Sequence, residues 1–233
     1  MTGNAAIFVD DAGENCIVVT PGANSEITPQ YVRETMQALK ANPPMIVIVQ
    51  LEVSLESALE ALKQGKALGA MTIFNPAPAP SCKLDDAFYQ YSDIVIPNQT
   101  ELKELTNYDF KGEDTKESRA RHLLDKGIGE AVIVTLGARG AMVVPKGEVK
   151  PQIVSAPKNL PCNDLPVVDT VGAGDSFCGS LSAYLTTGLT LTQAAQYACG
   201  VASMSVRKNG AQTSYPSYDE LPDQLKLKDK ILR

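Results

Sequence analysis

A single histidine, His122, stands among the 233 residues, inside the charged stretch SRARHLLDKG. It reads as a helical surface residue. A Ser-His-Asp triad would have to be built on it, and that chemistry is set aside. Cysteine is sparse too. Cys16, Cys82, Cys162, Cys178 and Cys199 are odd in number, scattered, and free of any C-x-x-C pair. Zinc sites and a disulfide framework are poor readings of such a set, and reduced thiols are the better one. No apolar run reaches the roughly 18 residues of a membrane span. The start, MTGNAAIFVDDAGEN, has no basic segment before a long apolar core, so no signal peptide is expected. Net charge is −6 and no dense Lys/Arg cluster occurs, so no nucleic-acid partner is expected either. The compartment these absences suggest is the cytoplasm, with the nucleus as an alternative.

What is present is an ordinary globular composition, 44% apolar, with β-type runs alternating with helical ones. AAIFVD and NCIVVT read as an antiparallel pair around a turn at Asp10 to Glu14. TPQYVRETMQALKA opens with Thr28 as N-cap and Pro29 in the first helical position. MIVIVQ, AMTIFN, DIVIPN and EAVIVTLG read as four buried strands. Helices separate them: SLESALEALKQGKALG capped by Ser54, QTELKELT, and KESRARHLLDKG, with PAPAPSCKLDD as a loop. Val/Ile runs with intervening helices predict a parallel sheet covered on both faces. From GAMVV to about Pro166 the chain reads as irregular and strand-rich, and from Gly174 onward as helical. One α/β domain over 1–233 fits better than two.

Ligand crevices in open α/β sheets lie at the carboxyl ends of the strands. Gln50 and Glu52 follow the first buried strand, Asn75 ends the second, Asn98 the third and Thr135 the fourth. Four polar strand ends on one edge predict a binding crevice there.

The stretch VVDTVGAGDSFCGSL, residues 167–181, carries the most specific signal. Gly172, Ala173, Gly174 and Asp175 open an apolar helix with Phe177, Leu181, Tyr184 and Leu185 on one face. Free N–H groups at a helix start, with small residues around them, form a cradle for an anion. Asp175 then stands beside that anion. The dinucleotide pattern G-x-G-x-x-G fails at Phe177, and no Walker loop occurs.

DTVGAGDSFCGSL resembles the signature of the ribokinase-like (PfkB) sugar kinases. NPAPA at 75–79, PNQTELKELT at 97–106, TLGARG at 135–140 and NGAQTSYP at 209–216 resemble the ribose branch of that family. The resemblance implies a three-layer α/β fold with a mainly parallel central sheet, and ATP-dependent phosphorylation of D-ribose to D-ribose 5-phosphate. It implies Asp175 as general base, and the amides of Gly172, Ala173, Gly174 and Asp175 as an anion hole. Asn98 and Glu101 match the family's N-x-x-E motif, with Glu101 holding magnesium through water. Thr135, Leu136, Gly137, Ala138, Arg139 and Gly140 match its nucleotide-binding turn, and Gly174 and Asp175 also border ATP. Cys199 falls where the family places an Asn or His near adenine, and a thiol departs from that pattern. Glu52 matches a ribose contact. Potassium is implied beside the anion hole, at Asp169, Val171, Ser205, Lys208, Gly210 and Ser214, several through carbonyls alone.

The resemblance starts part-way through the family pattern. The sugar-contacting Asp, the glycine-glycine string and much of the lid sheet have no match here. The expectation is therefore a sheet short of N-terminal strands with an exposed edge. Most of the lid is expected to be missing, with residues 1–20 as lid or lid-adjacent strands. The nucleotide side is expected to be kept and the sugar side incomplete. A homodimer is implied, weakened by loss of the lid. Two alternatives stay open: a nucleotide-binding remnant with impaired transfer, and a kinase for a related small sugar or nucleoside.

Overall fold

The computed structural model describes residues 1–9 and 15–226. The first two strands, β1 (Asn4–Val9) and β2 (Asn15–Thr20), pair antiparallel as a sheet of their own, Asn4 opposite Thr20 and Val9 opposite Asn15. The predicted turn between them, Asp10 to Glu14, lies outside the described residues. Beyond β2 the chain enters α1 (Pro29–Ala38). The Thr28 hydroxyl accepts from the Tyr31 N–H there, and Pro29 needs no donor of its own in the first turn.

The main sheet has six strands in sequence order: β3 (Ile46–Val49), β4 (Met71–Phe74), β5 (Ile94–Val95), β6 (Ala131–Thr135), β7 (Ala141–Pro145) and β8 (Gln152–Val154). β3 to β6 run parallel, while β7 and β8 return antiparallel. The connections are α2 (Leu55–Ala67), α3 (Ala87–Gln90), α4 (Gln99–Thr106) and α5 (Lys116–Asp125), and the chain ends in α6 (Ala173–Leu185) and α7 (Leu191–Ser205). The four-residue α3 falls just after the stretch read as a loop.

Alternation along the strands splits the interior into two cores. Phe74, Val95, Val132, Val134, Met142 and Val144 meet Leu62, Phe88, Leu102 and Leu123 of α2 to α5. Ile73, Ile94, Ile133, Ala141 and Val143 meet Phe177, Leu181, Tyr184 and Ala198 of α6 and α7. Leu62, Ile73, Phe74, Ile133 and Leu181 are fully buried. Truncating one of them to alanine costs about 2–5 kcal/mol. The helix-covered sheet is the expected three-layer α/β arrangement.

β3 departs from the reading of MIVIVQ as a buried strand. Only Val49 of β3 is buried, while Ile48 is 39% and the preceding Met45 67% exposed. The reason is position in the sheet. β3 is the edge strand, so one side lacks a neighbour, and α6 and α7 cover strands farther along. An exposed edge was expected; that it would strip burial from MIVIVQ was not drawn from its composition. His122 also departs from the surface reading. It is half-buried, and its Nε2 lies 2.7 Å from Asp109 Oδ1. Among the described residues no helix is long and apolar enough to cross a membrane.

Candidate functional site

The carboxyl ends of the parallel strands do converge. The Gln50 amide donates to Asn75 Oδ1 (3.0 Å), and the buried Asn75 amide donates to the Ile96 carbonyl (2.7 Å). One strand farther along, Asn98 forms a parallel bridge with Thr135, and the Thr135 N–H donates to the Pro97 carbonyl. Gln50, Asn75, Asn98 and Thr135 therefore line one edge, as the strand-end pattern predicted.

Asp175 faces the same edge from the first turn of α6. The Gln50 Nε2 group donates to Asp175 Oδ1 at 2.7 Å, across 125 residues of sequence. The helix start is made by Gly172, which takes the left-handed conformation at φ 75°, ψ 0°. A side chain there is strained by backbone alone. It would also collide with the Tyr215 hydroxyl at 2.6 Å. The Ala173 N–H donates to the Thr170 carbonyl and the Ser176 N–H to the Gly172 carbonyl. The N–H groups of Gly174 and Asp175 find no backbone acceptor among the described residues. A Cβ on Gly174 would meet nothing within 4 Å, so the space over these amides is open. The buried Ser176 hydroxyl has no hydrogen-bond partner among the described residues. Free amides, open space and an unpaired hydroxyl fit an anion at this helix start.

Tyr215 lies within NGAQTSYP, and nothing in the sequence assigns it a role. Burial, followed by the Asp175 charge and a hydrogen bond to Asp175, pushes its phenol above the ordinary value. Nothing in local sequence links a tyrosine to an aspartate 40 positions earlier; only the 209–216 string pointed to that segment.

Asn98 and Glu101 form a reciprocal cap on α4. Asn98 Oδ1 accepts from the Glu101 N–H (2.8 Å), and Glu101 Oε2 accepts from the Asn98 N–H (2.7 Å). Burial raises the Glu101 carboxyl above its usual range, against the pull of that backbone bond. Cys178 ties this acid to the other one. Burial pushes its thiol up to about 12, and the charges of Asp175 and Glu101 both add to the shift. Both carboxylates therefore act on one region.

The TLGARG turn leaves β6 beside Asn98. Gly137 to Arg139 form a short 3-10 turn exposed to solvent, and the Leu136 N–H donates to the Gly140 carbonyl at 2.8 Å. Gly140 has φ 86°, and a Cβ there would lie 2.0 Å from the Val154 carbonyl oxygen. Arg139 reaches back to Gln99 of α4, Nη2 to Oε1 at 2.9 Å. The turn and the Asn98–Glu101 cap are thereby one unit. Cys199 is buried in α7, and burial pushes its thiol up to about 12.

Asp169 knots two loops. Its carboxylate accepts from the Val171 N–H (2.9 Å) and the Gly210 N–H (2.8 Å). Those backbone donors hold it below the ordinary carboxylate range. The Ser205 and Ser214 hydroxyls donate to the Ala202 and Ala211 carbonyls, and Lys208 pairs with Glu220. Asp169, Val171 and Gly210 are thus directly joined. Any cation here would have to rely chiefly on carbonyl oxygens. Glu52 is exposed and borders a groove of about 280 Å³ with Gln50, Ile27, Ile48 and Ser57. Among the described residues, no group of three or more His, Cys, Asp or Glu side chains is placed to hold a metal ion.

Comparison with known proteins gives the family and the fold. Mouse ribokinase is 35% identical over 223 residues, covering 95% of this chain and 66% of that protein. Deoxyribokinase from Salmonella typhi is 33% identical over 228 residues, covering 98% and 71%. Thermotoga maritima ribokinase superimposes with a TM-score of 0.78 at 32% identity, covering 94% of this chain and 67% of that one. Arabidopsis thaliana ribokinase, solved with ribose and ATP, gives a TM-score of 0.79 at 25% identity, covering 97% and 70%. The chain spans about two thirds of the length of the curated relatives it matches. Residues 1–218, from the first strand pair through the G-A-G-D helix start to Tyr215, match the pfkB family carbohydrate kinase, and the chain belongs to that family.

Proposed function

We propose that this chain transfers the γ-phosphoryl group of ATP to the primary hydroxyl of D-ribose, giving D-ribose 5-phosphate and ADP. The observation that carries this reading is the exposed Asp175 carboxylate beside two acceptor-free amides at the start of α6. Asp175 accepts the sugar hydroxyl's proton as the oxygen attacks phosphorus. The amides of Gly172 to Asp175 stabilise the charge on the phosphoryl oxygens in flight. Asn98, Glu101 and the Thr135 to Gly140 turn hold the nucleotide, and Glu52 contacts the sugar. Glu101 would hold, through water, the magnesium that accompanies ATP, and that ion would supply positive charge for the phosphate oxygens. It keeps several waters and needs few protein ligands, which suits Glu101 acting through water. Asp169, Val171, Ser205, Lys208, Gly210 and Ser214, several through carbonyls alone, would hold a potassium ion at this knot, and its charge would order the loop that presents the anion hole. A cytoplasmic homodimer belongs to the same reading, and a sizing column tests the dimer.

The test is ADP release from ATP, magnesium and potassium, with and without ribose, by the native chain and by Asp175→Asn. Ribose-dependent release that Asp175→Asn abolishes is the expected result. Folded, ATP-binding protein with no sugar-dependent release would overturn it and leave a nucleotide-binding protein. Deoxyribose is the second sugar to assay, because a deoxyribokinase stands among the relatives at 33% identity.

A further inference from the structure

Asp175 is exposed and sits in the first helical turn, where a carboxylate has several staggered rotamers open to it. A general base in phosphoryl transfer needs one of them, because positioning supplies much of the rate. Something must choose. Among the described residues two side chains reach the carboxylate: the Tyr215 hydroxyl, which hydrogen-bonds Asp175 but rotates freely between donor and acceptor directions, and the Gln50 amide at 2.7 Å.

An amide is a reliable donor only if its orientation is fixed, since its oxygen and nitrogen ends differ little in shape. Here the orientation is dictated from the backbone outward. The Ile96 carbonyl can only accept, so Asn75 must turn its Nδ2 group toward it, at 2.7 Å. Asn75 Oδ1 is then the end that faces Gln50, and Gln50 must present Nε2, at 3.0 Å. Nε2 carries two hydrogens. The second points to Asp175 Oδ1, at 2.7 Å. The chain Ile96–Asn75–Gln50–Asp175 therefore has one self-consistent direction, set by a main-chain carbonyl beyond β5. Asn75 is buried with both polar ends satisfied, so reversing it would cost two hydrogen bonds in a dry place.

We infer that Gln50 is the positioning residue for Asp175. Its amide, oriented through Asn75 by the Ile96 carbonyl, holds Oδ1 and so fixes how the carboxylate is presented to the sugar hydroxyl. This rests on the reading of Asp175 as the base. Gln50 acts through Asp175 and contributes no proton of its own. Asn75 is a second positioning residue, one bond farther back.

The experiment uses Gln50→Leu, which keeps the side chain's bulk and removes the donor, and Asn75→Asp. Asn75→Asp keeps an acceptor for Gln50 while losing the donor to Ile96. Two readouts separate this inference from the function it rests on. The first is the side-chain χ1 distribution of Asp175, from NMR scalar couplings in the full chain without ligands. Gln50→Leu is expected to change one dominant rotamer into an average of several, and Asn75→Asp to leave it largely single. The second is steady-state kinetics. Gln50→Leu is expected to lower kcat by up to about a hundred-fold with KM for ATP unchanged. A merely structural residue would lower thermal stability and the active fraction together and leave the rotamer alone. A single Asp175 rotamer in Gln50→Leu overturns the inference, whether or not the native chain turns over sugar. So does a native kcat in Gln50→Leu. A native chain that shows no sugar-dependent turnover fails the parent reading instead, and the coupling measurement still decides whether Gln50 positions Asp175.

Discussion

The Tyr215 hydroxyl lies over Gly172, so close that a Cβ at that glycine would come within 2.6 Å of its oxygen. The left-handed turn that opens α6 and the ring that covers it fit only as a pair. Gly172→Ala is expected to destabilise the fold by roughly 1–3 kcal/mol from backbone strain and this collision. In a chain of this size that is about 2–4 °C in Tm for each kcal/mol. Combining it with Tyr215→Phe removes the colliding oxygen. The double variant should then lose less than the sum of the two single ones. Thermal denaturation of the four proteins measures this. Strict additivity would show that the ring does not press on the turn.

Gly140 offers a sharper case. Its Cβ would stand 2.0 Å from a main-chain oxygen of β8, which cannot swing aside as a side chain does. Gly140→Ala is expected to cost more than about 2 kcal/mol and to disturb the TLGARG turn itself. Fluorescent-nucleotide titration should show affinity falling together with Tm. Unchanged affinity would remove this turn from the nucleotide site.

Asn98 serves as the α4 cap, and it is also a proposed nucleotide residue. Asn98→Ala should lose about 1 kcal/mol of helix stability, while Asn98→Asp retains the cap. Loss of nucleotide affinity in both variants, with loss of stability only in the first, would separate the two roles. Equal affinity in all three proteins would leave Asn98 as a cap alone.

Asp109 gathers Lys83, His122 and Lys126 around one carboxylate, each with a nitrogen 2.7 or 2.8 Å from an oxygen. Burial tends to raise this carboxyl, but the hydrogen bonds from Lys126, Lys83 and His122 outweigh it and hold it well below the usual range. The sign follows from linkage. A carboxyl depressed in the folded state stabilises at pH values above its unfolded pKa, and that share is lost as pH falls through and below the usual carboxylate range. Asp109→Asn is expected to cost roughly 2 kcal/mol near neutrality, partly by leaving the half-buried Lys126 only its longer pair with Asp86. The gap in Tm between native and variant proteins should narrow as pH falls from about 6 towards 3. A gap that does not change with pH would show that the ion pairs contribute nothing.

Local features of this fold were legible because their causes are local. Thr28, Ser54 and Asn98 cap their helices through hydroxyl or amide oxygens, each three residues from the N–H it satisfies. The continuous Val/Ile runs also announced strands. What escaped depends on partners distant in sequence. MIVIVQ has the composition of a central strand, and only the order of the sheet makes it an edge. His122 looks like a surface histidine until Asp109, 13 residues earlier, folds against it. Gln50 and Asn75 were visible as polar strand ends, but the bond from Gln50 to Asp175 spans 125 residues and exists only once the sheet and α6 are assembled. Tyr215 had a place in a recognisable string and no role in it.

α6 carries Asp175 in its first turn and buries Phe177, Leu181 and Tyr184 in its next three. The proposed base and the second core are parts of one rigid rod. Its main-chain amides beyond the first turn should therefore trade hydrogen with solvent only when the whole molecule opens, as slowly as those of β6 at the sheet centre. Within α6 no break separates the proposed base from the core that the helix buries. Substitutions that relax the α6–α7 packing will register at Asp175 even when they lie several turns away from it.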